Sequence, residues 1–240
     1  MKPWERWNVL PHQPITRLAE NLFTVVGTLK MPVGEIQRRM TVVRLSGKRL
    51  LIFSAIALNE SEMADLEELG RPTFLVVPSE IHRLDAKIWK DRYHDMLVVT
   101  PRGARDKVSE VVPVDATDPA VVQWGDTSVR LTTVPGTDEG EFSMEVDSRS
   151  GTTLVVNDLI FNLPEKKGLG AWLMGVLGFR SDRPLIPKLV MMKLIKDKNA
   201  LRAQLQWWAD MISIERILVS HGEPIENPRH TLLQIAGGLA

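Results

Sequence analysis

Short apolar runs of strand length recur along this chain, and helical stretches with marked ends separate some of them. The run "RLLIFSA" from Arg49 is nearly continuous, which is typical of a strand covered on both faces. In "NESEMADLEELG", Asn59 is a suitable N-cap and Gly70 follows the last turn, so a helix is predicted between them. The strand "PTFLVV" comes directly after it. Strand, helix and strand at this spacing predict an α/β architecture.

In the later part of the chain, strands come first and helices follow. Strands are predicted over "TSVRLTTVPG", "GEFSMEVDS" and "TTLVVNDLIF", and "SRSG" is predicted as a hairpin turn. The helical region after them has an apolar stripe that we interpret as core, Trp207 included; its members are Leu201, Leu205, Trp208 and Ile212. The strand "ERILVS" and a helix from about Asn227 close the chain. Without repeats or low-complexity linkers, residues 1–240 are expected to form a single domain.

The composition excludes several classes of function. Lys plus Arg and Asp plus Glu are equal at 30 each, so no general electrostatic attraction to nucleic acid or to an anionic membrane is expected. The basic stretches "RRM" and "KDKNALR" are interpreted as solvated faces. The chain has no cysteine, which excludes disulfides, thiolate metal sites and a cysteine nucleophile. It also lacks the Gly-x-Ser-x-Gly elbow, the dinucleotide-binding fingerprint and the P-loop.

Targeting and membrane segments are also not expected. Pro, Glu and Arg interrupt the N-terminal stretch "MKPWERWNVLPHQP", and no run approaches the roughly 20 apolar residues of a membrane span. We therefore expect a soluble, cytoplasmic protein that acts on a small molecule, without a nucleic acid or a membrane as partner. The glycine-rich segment at 165–183 is predicted as a loop with a short helix near the mouth of a site.

Polar residues with metal-binding or catalytic chemistry follow four of the predicted strands. Ligands and catalytic groups collect at the carboxyl ends of strands, which favours one shared site. Taken singly, these residues also have ordinary explanations, as a surface histidine, a solvated acidic turn and a turn histidine. The four groups are Glu80, His82 and Asp85 in "VVPSEIHRLD", Asp138, Glu139 and Glu141 in "TVPGTDEGE", Asp158 in "TLVVNDLIFN", and His221 in "LVSHG".

Asp158 interrupts an apolar run, so its surroundings are predicted to be apolar. A buried carboxylate without a partner costs several kcal/mol and needs a cation, hydrogen-bond donors or a metal ion. Asn157 and Asn162 are near enough in sequence to supply donors. A metal ligand and a hydrogen-bonded structural aspartate therefore both remain open.

The order of these elements resembles the metallo-β-lactamase-like superfamily from about Asn21 to Pro228. "TTVPGTDEGEFSMEV" is similar to the superfamily's Pro-Gly-His-Thr-Pro-Gly stretch, "TLVVNDLIFN" to its Gly-Asp-Ala-Leu-Phe strand, and "ILVSHGEP" to its terminal Gly-His-Gly strand. The most specific piece, "RSGTTLVVNDLIFNLP", resembles an uncharacterised branch of the superfamily. The resemblance implies a four-layer αβ/βα sandwich.

Active members of that superfamily bind two metal ions, partly through a His-x-His-x-Asp-His motif. On that pattern "EIHRLD" has Glu80 at the first histidine and His82 at the second. Leu84 stands at the aspartate and Asp85 at the last histidine. The missing aspartate matters because in active members it orients the attacking water and holds the second metal ion.

The remaining ligand positions of the superfamily fall in the second half of the chain. Thr137 stands where the mid-chain histidine belongs, with Asp138 next to it. Asp158 and His221 match the bridging aspartate and the final histidine. The resemblance therefore implies an altered site in which only part of the usual ligand set is present.

The resemblance implies a metal-dependent hydrolase of unspecified substrate. One divalent ion, Zn, Mn or Fe, would be held by His82, Asp158 and His221, assisted by Asp138. Asp85 or Glu80 would serve as general base. The alternative is a catalytically inactive relative that binds no metal and uses its cleft for a small ligand or a partner.

Overall fold

The computed structural model describes residues 2–31, 34–164 and 183–239. The predicted loop at 165–183 lies outside these residues, apart from Arg183. Among the helices that the structure describes, none has the length and apolar character needed to cross a membrane.

Six strands form the first sheet, in the same order as in the chain. Neighbours from β1 to β4 are antiparallel, and β4, β5 and β6 are parallel. Gly47 (φ 73°) makes the tight turn that joins the third and fourth strands. The strands are β1 (Thr16–Arg17), β2 (Leu22–Met31), β3 (Gly34–Leu45), β4 (Arg49–Phe53), β5 (Arg71–Val76) and β6 (Leu97–Val99).

Three helices of the first half follow strands of this sheet: α1 (Glu60–Leu69), α2 (Ala86–Arg92) and α3 (Arg105–Ser109). The predicted ends of α1 are confirmed, since the side chain of Asn59 accepts a hydrogen bond from the backbone N–H of Glu62 and Gly70 is the C-cap. Apolar side chains of the helices and of one sheet face form a continuous buried cluster, with Trp89 and Leu66 against Ile52 and Leu75 among its members. The helices therefore cover one face of the first sheet.

The second sheet has four strands in the order β10-β9-β8-β7, with β9 and β10 parallel and the others antiparallel. The predicted helical region before the last strand is divided into two helices, and Asp197 caps the second of them by accepting hydrogen bonds from two backbone N–H groups. The strands are β7 (Val129–Thr133), β8 (Phe142–Ser148), β9 (Gly151–Asn162) and β10 (Ile214–Gly222); the helices are α4 (Lys188–Leu194), α5 (Lys198–Asp210) and α6 (Pro228–Gly237).

The predicted apolar stripe of α5 is only partly correct. Leu201, Leu205 and Trp208 are buried against the second sheet, but Ile212 is 97% exposed and Trp207 is 53% exposed. The helix ends at Asp210, so helical spacing does not carry Ile212 to the buried face. Trp207 precedes Trp208 by one residue, about 100° around the helix, and therefore points away from the core.

A third apolar cluster lies between the two sheets. Strand residues alternate between the faces of a sheet, so each inner face contributes every second side chain. The first sheet supplies Leu51, Phe53 and Val76 among others, and the second supplies Phe142, Met144 and Leu218. With helices on both outer faces, the order of layers is helix, sheet, sheet, helix. The predicted αβ/βα sandwich is confirmed.

The interpretation of "RRM" as a solvated face is wrong, because Arg38 and Arg39 on β3 are only 7% and 5% exposed. Nε and Nη2 of Arg39 donate hydrogen bonds to the backbone oxygens of Val219 (3.0 Å) and Gly222 (2.8 Å) on β10. Nη1 donates to Oγ1 of Thr24 on β2. Burial lowers the pKa of the Arg39 guanidinium. The side chain thus links the two sheets at the end of β10.

Replacing Arg39 by methionine keeps the length of the side chain but removes all of these donors. We expect the free energy of unfolding to fall by about 2–4 kcal/mol, because each buried carbonyl left without a donor costs about 1–3 kcal/mol. Urea denaturation measures the change. The control is Arg44→Met on the same strand, where the side chain is exposed and a change below about 0.5 kcal/mol is expected. Equal losses in the two variants would contradict a specific role for Arg39.

Candidate metal centre

His82, Asp158 and His221, which are far apart in the sequence, converge on one point. Nε2 of His82 lies 3.1 Å from Oδ1 of Asp158, and Nε2 of His221 lies 3.2 Å from the same oxygen. One ligand atom from each residue lies within 4.8 Å of the other two. Within the ranges that the structure describes, this is the one group of three or more potential metal-binding side chains that meets this distance. We call it the His-Asp-His cluster.

Two parallel strands of the second sheet position Asp158 and His221. Asp158 lies within β9, and His221 is the penultimate residue of β10, paired with Phe161 after a register shift. The ring of Phe161 stacks on the imidazole of His221 with centroids 4.6 Å apart. Gly222 follows with φ 115°, a conformation that favours glycine, so the "HG" dipeptide ends the strand where the histidine is needed.

The first sheet positions His82 and supports both histidines. His82 lies in the turn that follows β5, where its backbone N–H donates to the carbonyl of Ser79. Its Nδ1 lies 2.8 Å from Oγ of Ser54, the residue directly after β4. Ser54 has φ 59°, a conformation that non-glycine residues adopt at a cost and that clusters at functional sites.

The hydrogen bond of His221 on its outer side determines its tautomer. Nδ1 of His221 lies 2.7 Å from the backbone oxygen of Gln37, and a carbonyl oxygen only accepts, so Nδ1 carries a proton. Nε2 then either carries a second proton toward Asp158 or points its lone pair at a carboxylate oxygen. In the second case the Nε2 lone pair and the carboxylate oxygen would both be available to hold a metal ion.

The second oxygen of Asp158 is bound by hydrogen-bond donors. Oγ of Ser79 (3.0 Å) and Nδ2 of Asn157 (2.9 Å) donate to Oδ2, and Oγ of Ser220 donates to the amide oxygen of Asn157. The expected donor Asn157 is therefore confirmed, whereas Asn162 donates to the backbone oxygen of Glu223 instead. Burial raises the pKa of Asp158, but the charges and hydrogen bonds of the two histidines outweigh burial and hold the pKa well below its ordinary value.

A second buried carboxylate, Glu141, lies directly beside the cluster. Its Oε1 accepts a hydrogen bond from the backbone N–H of Leu159 at 2.9 Å, and Oε2 has no partner among the described residues. Burial, followed by the negative charge of Asp158, raises the pKa of Glu141 well above its ordinary value. Its place directly before β8, at the end of the acidic turn, is the sequence signal that marks it.

Asp138, expected to assist in metal binding, lies outside the His-Asp-His cluster. It is exposed in the turn between β7 and β8, with φ 52°. The neighbouring Thr137 is buried, and its hydroxyl donates to the backbone oxygen of Val134.

The two expected general bases, Asp85 and Glu80, differ in their surroundings. Asp85 is buried, forms an ion pair with Nη1 of Arg38, and accepts a hydrogen bond from the backbone N–H of Ala57 at 3.1 Å. Burial raises the pKa of Asp85, and the Arg38 charge and the hydrogen bonds oppose that rise. Glu80 is exposed. Both line a cavity of about 400 Å³ that also has His82 in its wall.

Comparison with known proteins identifies the fold. No protein-family model matches the sequence, and no curated protein matches it. Solved structures match over nearly the whole chain. The metallo-β-lactamase DIM-1, exposed to ceftazidime, has a TM-score of 0.64 at 12% identity and covers 97% of this chain and 100% of its own. FIM-1 from Pseudomonas aeruginosa, in a mono-zinc form, has a TM-score of 0.60 at 12% identity and covers 96% of each chain.

A metallo-β-lactamase from Erythrobacter litoralis agrees with these two. Its TM-score is 0.61 at 14% identity, and the match covers 93% of this chain and 96% of the other. At such identities the likeness establishes the fold and leaves the activity to the residues of the site. This chain has the metallo-β-lactamase-like fold, as the sequence resemblance implies.

Gly222 is the residue whose replacement tests the backbone beside His221. Its φ of 115° disfavours any side chain, and an added Cβ would lie 1.9 Å from the backbone oxygen of Asn162. We expect Gly222→Ala to lower the free energy of unfolding by at least about 2 kcal/mol. In the control Gly237→Ala, in α6, an added Cβ meets nothing within 4 Å, and helix propensity makes the change neutral or slightly stabilising. Thermal unfolding that treats both variants alike would contradict this reading of Gly222.

The raised pKa of Glu141 predicts a pH-dependent stability of the metal-free protein. The folded state binds this proton more tightly than the unfolded state, so stability falls as the pH rises above the ordinary glutamate pKa. We expect Glu141→Gln, which cannot ionise, to gain stability relative to the wild type above about pH 4.3, by up to about 1.4 kcal/mol per pH unit. Denaturation between pH 5 and 8 measures the difference. The exposed Glu139→Gln serves as control, and a constant difference between Glu141→Gln and the wild type would disprove the assignment.

Proposed function

We propose that the His-Asp-His cluster holds a single divalent metal ion and is the centre of a hydrolase acting on a small molecule. The observation that carries the proposal is the convergence of two Nε2 atoms on one carboxylate oxygen, with Nδ1 of His221 bound to a backbone carbonyl. Two histidines and a carboxylate are a common ligand set of catalytic zinc, and they also suit manganese and iron. With three protein ligands, an ion of this kind would keep a coordination position for water or substrate.

The chemistry needs the ion to act as a Lewis acid and to lower the pKa of a water molecule. The protein residues supply the orientation. Gln37 and Ser54 hold the outer nitrogens of the two histidines, and Ser79 and Asn157 hold the outer oxygen of Asp158. Each ligand is thus fixed on its side away from the cluster.

Glu80 is our candidate for the residue that accepts a proton from the attacking water. It lines the same cavity as His82, and its carboxylate is exposed, so it can exchange protons with solvent. Asp85 is less suited to this role, because the Arg38 guanidinium and the N–H of Ala57 occupy its two oxygens. We therefore assign the base to Glu80 in this proposal.

A single ion is favoured over two because the residues for a second ion are replaced. Leu84 and Thr137 stand at two ligand positions of the superfamily and offer neither an imidazole nor a carboxylate. At a third, Asp85 is engaged by Arg38. The structural relative FIM-1 in its mono-zinc form indicates that this fold can hold one zinc ion.

A metal-free ligand-binding protein is the second candidate, and the hydrogen bonds of Asp158 favour it. Both carboxylate oxygens have partners: the two histidines at Oδ1, and Ser79 with Asn157 at Oδ2. With the histidines protonated toward Asp158, the cluster is satisfied without an ion. Metal content therefore separates the two candidates.

Elemental analysis of protein purified without added metal tests the proposal. We expect about one zinc, manganese or iron per chain in the wild type and at least a tenfold lower content in Asp158→Asn and His221→Gln, since each loses one of three ligands. His94→Gln is the matched control, because His94 is exposed and outside the cluster. Hydrolysis of generic ester, thioester, amide and phosphoester substrates should follow the metal content across the four proteins.

The opposite outcome is equally well defined. A wild type without metal, whose melting temperature does not rise with added zinc or manganese, would establish the metal-free candidate instead. Metal content that persists in both cluster variants would place the ion elsewhere. Hydrolysis unaffected by chelation would rule out metal dependence.

A further inference from the structure

The cavity beside His82 has a buried arginine in its wall. Arg38 lines this space of about 400 Å³ together with Ser54, His82 and Asp85. Its side chain is 9% exposed, and one of its nitrogens, Nη1, forms the ion pair with Asp85. The cavity therefore combines one end of the His-Asp-His cluster with a permanently charged guanidinium.

The other two nitrogens of this guanidinium differ from Nη1 in their surroundings. Nε and Nη2 of Arg38 are buried, and neither has a hydrogen-bond partner among the residues the structure describes. These two nitrogens form the edge of a guanidinium that binds carboxylate and phosphate with two parallel hydrogen bonds. Buried charged donors without partners are costly, so they call for an explanation.

The adjacent Arg39 shows what a purely structural arginine looks like in the same strand. It is buried to the same degree, and its Nε, Nη1 and Nη2 all donate to protein oxygens. Arg38 satisfies only Nη1 in this way, although Asp85 has a second oxygen, which is bound to the backbone N–H of Ala57 instead. The contrast leaves the Nε–Nη2 edge of Arg38 available to a partner outside the residues that the structure describes.

The remaining wall of the cavity limits what that partner can be. Leu29, Ile36 and Leu84 are among its apolar residues, and the exposed Ile81 lies on it as well. A ligand whose oxyanion binds Arg38 would therefore place an apolar body against these residues, within reach of the His-Asp-His cluster. Because the two donor nitrogens are buried, the guanidinium would have to turn toward the cavity for an anion to reach them.

We propose that Arg38 is the anion-binding residue of the substrate site, so that the substrates are small organic molecules with an apolar body and a carboxylate or phosphate group. The proposal rests on the proposed function for its reaction, with the hydrolysed bond on the His82 side of the cavity. The anion binding itself requires no metal ion. It can therefore be measured separately from catalysis.

Isothermal titration of the metal-free protein with butyrate and, separately, with inorganic phosphate tests the proposal. Removing the metal excludes binding of the anion to the ion. We expect Arg38→Gln combined with Asp85→Asn to bind at least about tenfold more weakly, because charged hydrogen bonds are lost while shape and net charge of the pair are kept. Arg83→Gln is the matched control: Arg83 lines the same cavity but already donates to Glu110 and to the backbone oxygen of Lys107.

Asp85→Asn alone gives a readout that a damaged fold cannot imitate. It removes the carboxylate that competes for the guanidinium, so anion binding should become tighter, by about threefold or more. Tighter binding of butyrate than phosphate would indicate a carboxylate substrate, and the reverse a phosphate-bearing one. Undiminished binding in the double variant, a loss in Arg83→Gln instead, or weaker binding in Asp85→Asn would each overturn the proposal.

The metal analysis and this titration fail independently. A metal-bearing protein without anion binding keeps the hydrolase and discards Arg38 as the anion receptor. A metal-free protein whose anion affinity depends on Arg38 discards the hydrolase and keeps the binding site.

Discussion

The local structure depends on the contacts between the buried carboxylate of Asp158 and two histidines. A charge in that position is tolerated only if positive charge or donors surround it, and here both of its oxygens are engaged. The partners come from both sheets: Ser79 and His82 follow a strand of the first, while Asn157 and His221 belong to the second. The packing of the two sheets and the chemistry of the cluster therefore constrain each other.

Strand β3 is where this coupling is strongest. Three successive residues of this strand act on the site. The backbone oxygen of Gln37 binds the imidazole of His221, and Arg38 forms an ion pair with Asp85. Arg39 donates hydrogen bonds to two backbone oxygens of β10. Alternation along a strand would put Arg38 and Arg39 on opposite faces, which explains how one serves the cavity and the other the space between the sheets. A strand of the first sheet thus determines where the second sheet presents its histidine.

Local patterns in the sequence predicted the order of the elements and two residues of the candidate site. Apolar runs and helix caps predicted the order of strands and helices, and an aspartate within an apolar run together with a histidine before glycine pointed to Asp158 and His221. The sequence did not predict the burial of Arg38 and Arg39, because adjacent arginines usually indicate a solvated face and their partners are 47 and 180 residues away. The exposure of Ile212 also depended on a helix end that the apolar spacing does not reveal.

The pair of Arg38 and Asp85 places a guanidinium of permanent charge in the wall of the cavity beside His82. The sequence resemblance implies that Asp85 stands at a histidine ligand position of the superfamily, and a guanidinium of fixed charge lies against it. A metal ion binds an oxyanion through open coordination positions, whereas a guanidinium does so through the paired donors of its Nε–Nη2 edge. Under our proposals the wall of the cavity therefore carries two positive charges, the ion at the His-Asp-His cluster and the guanidinium of Arg38. The ion would then activate the attacking water while Arg38 would bind the anionic group of the substrate, so reaction and recognition would each have a separate cation.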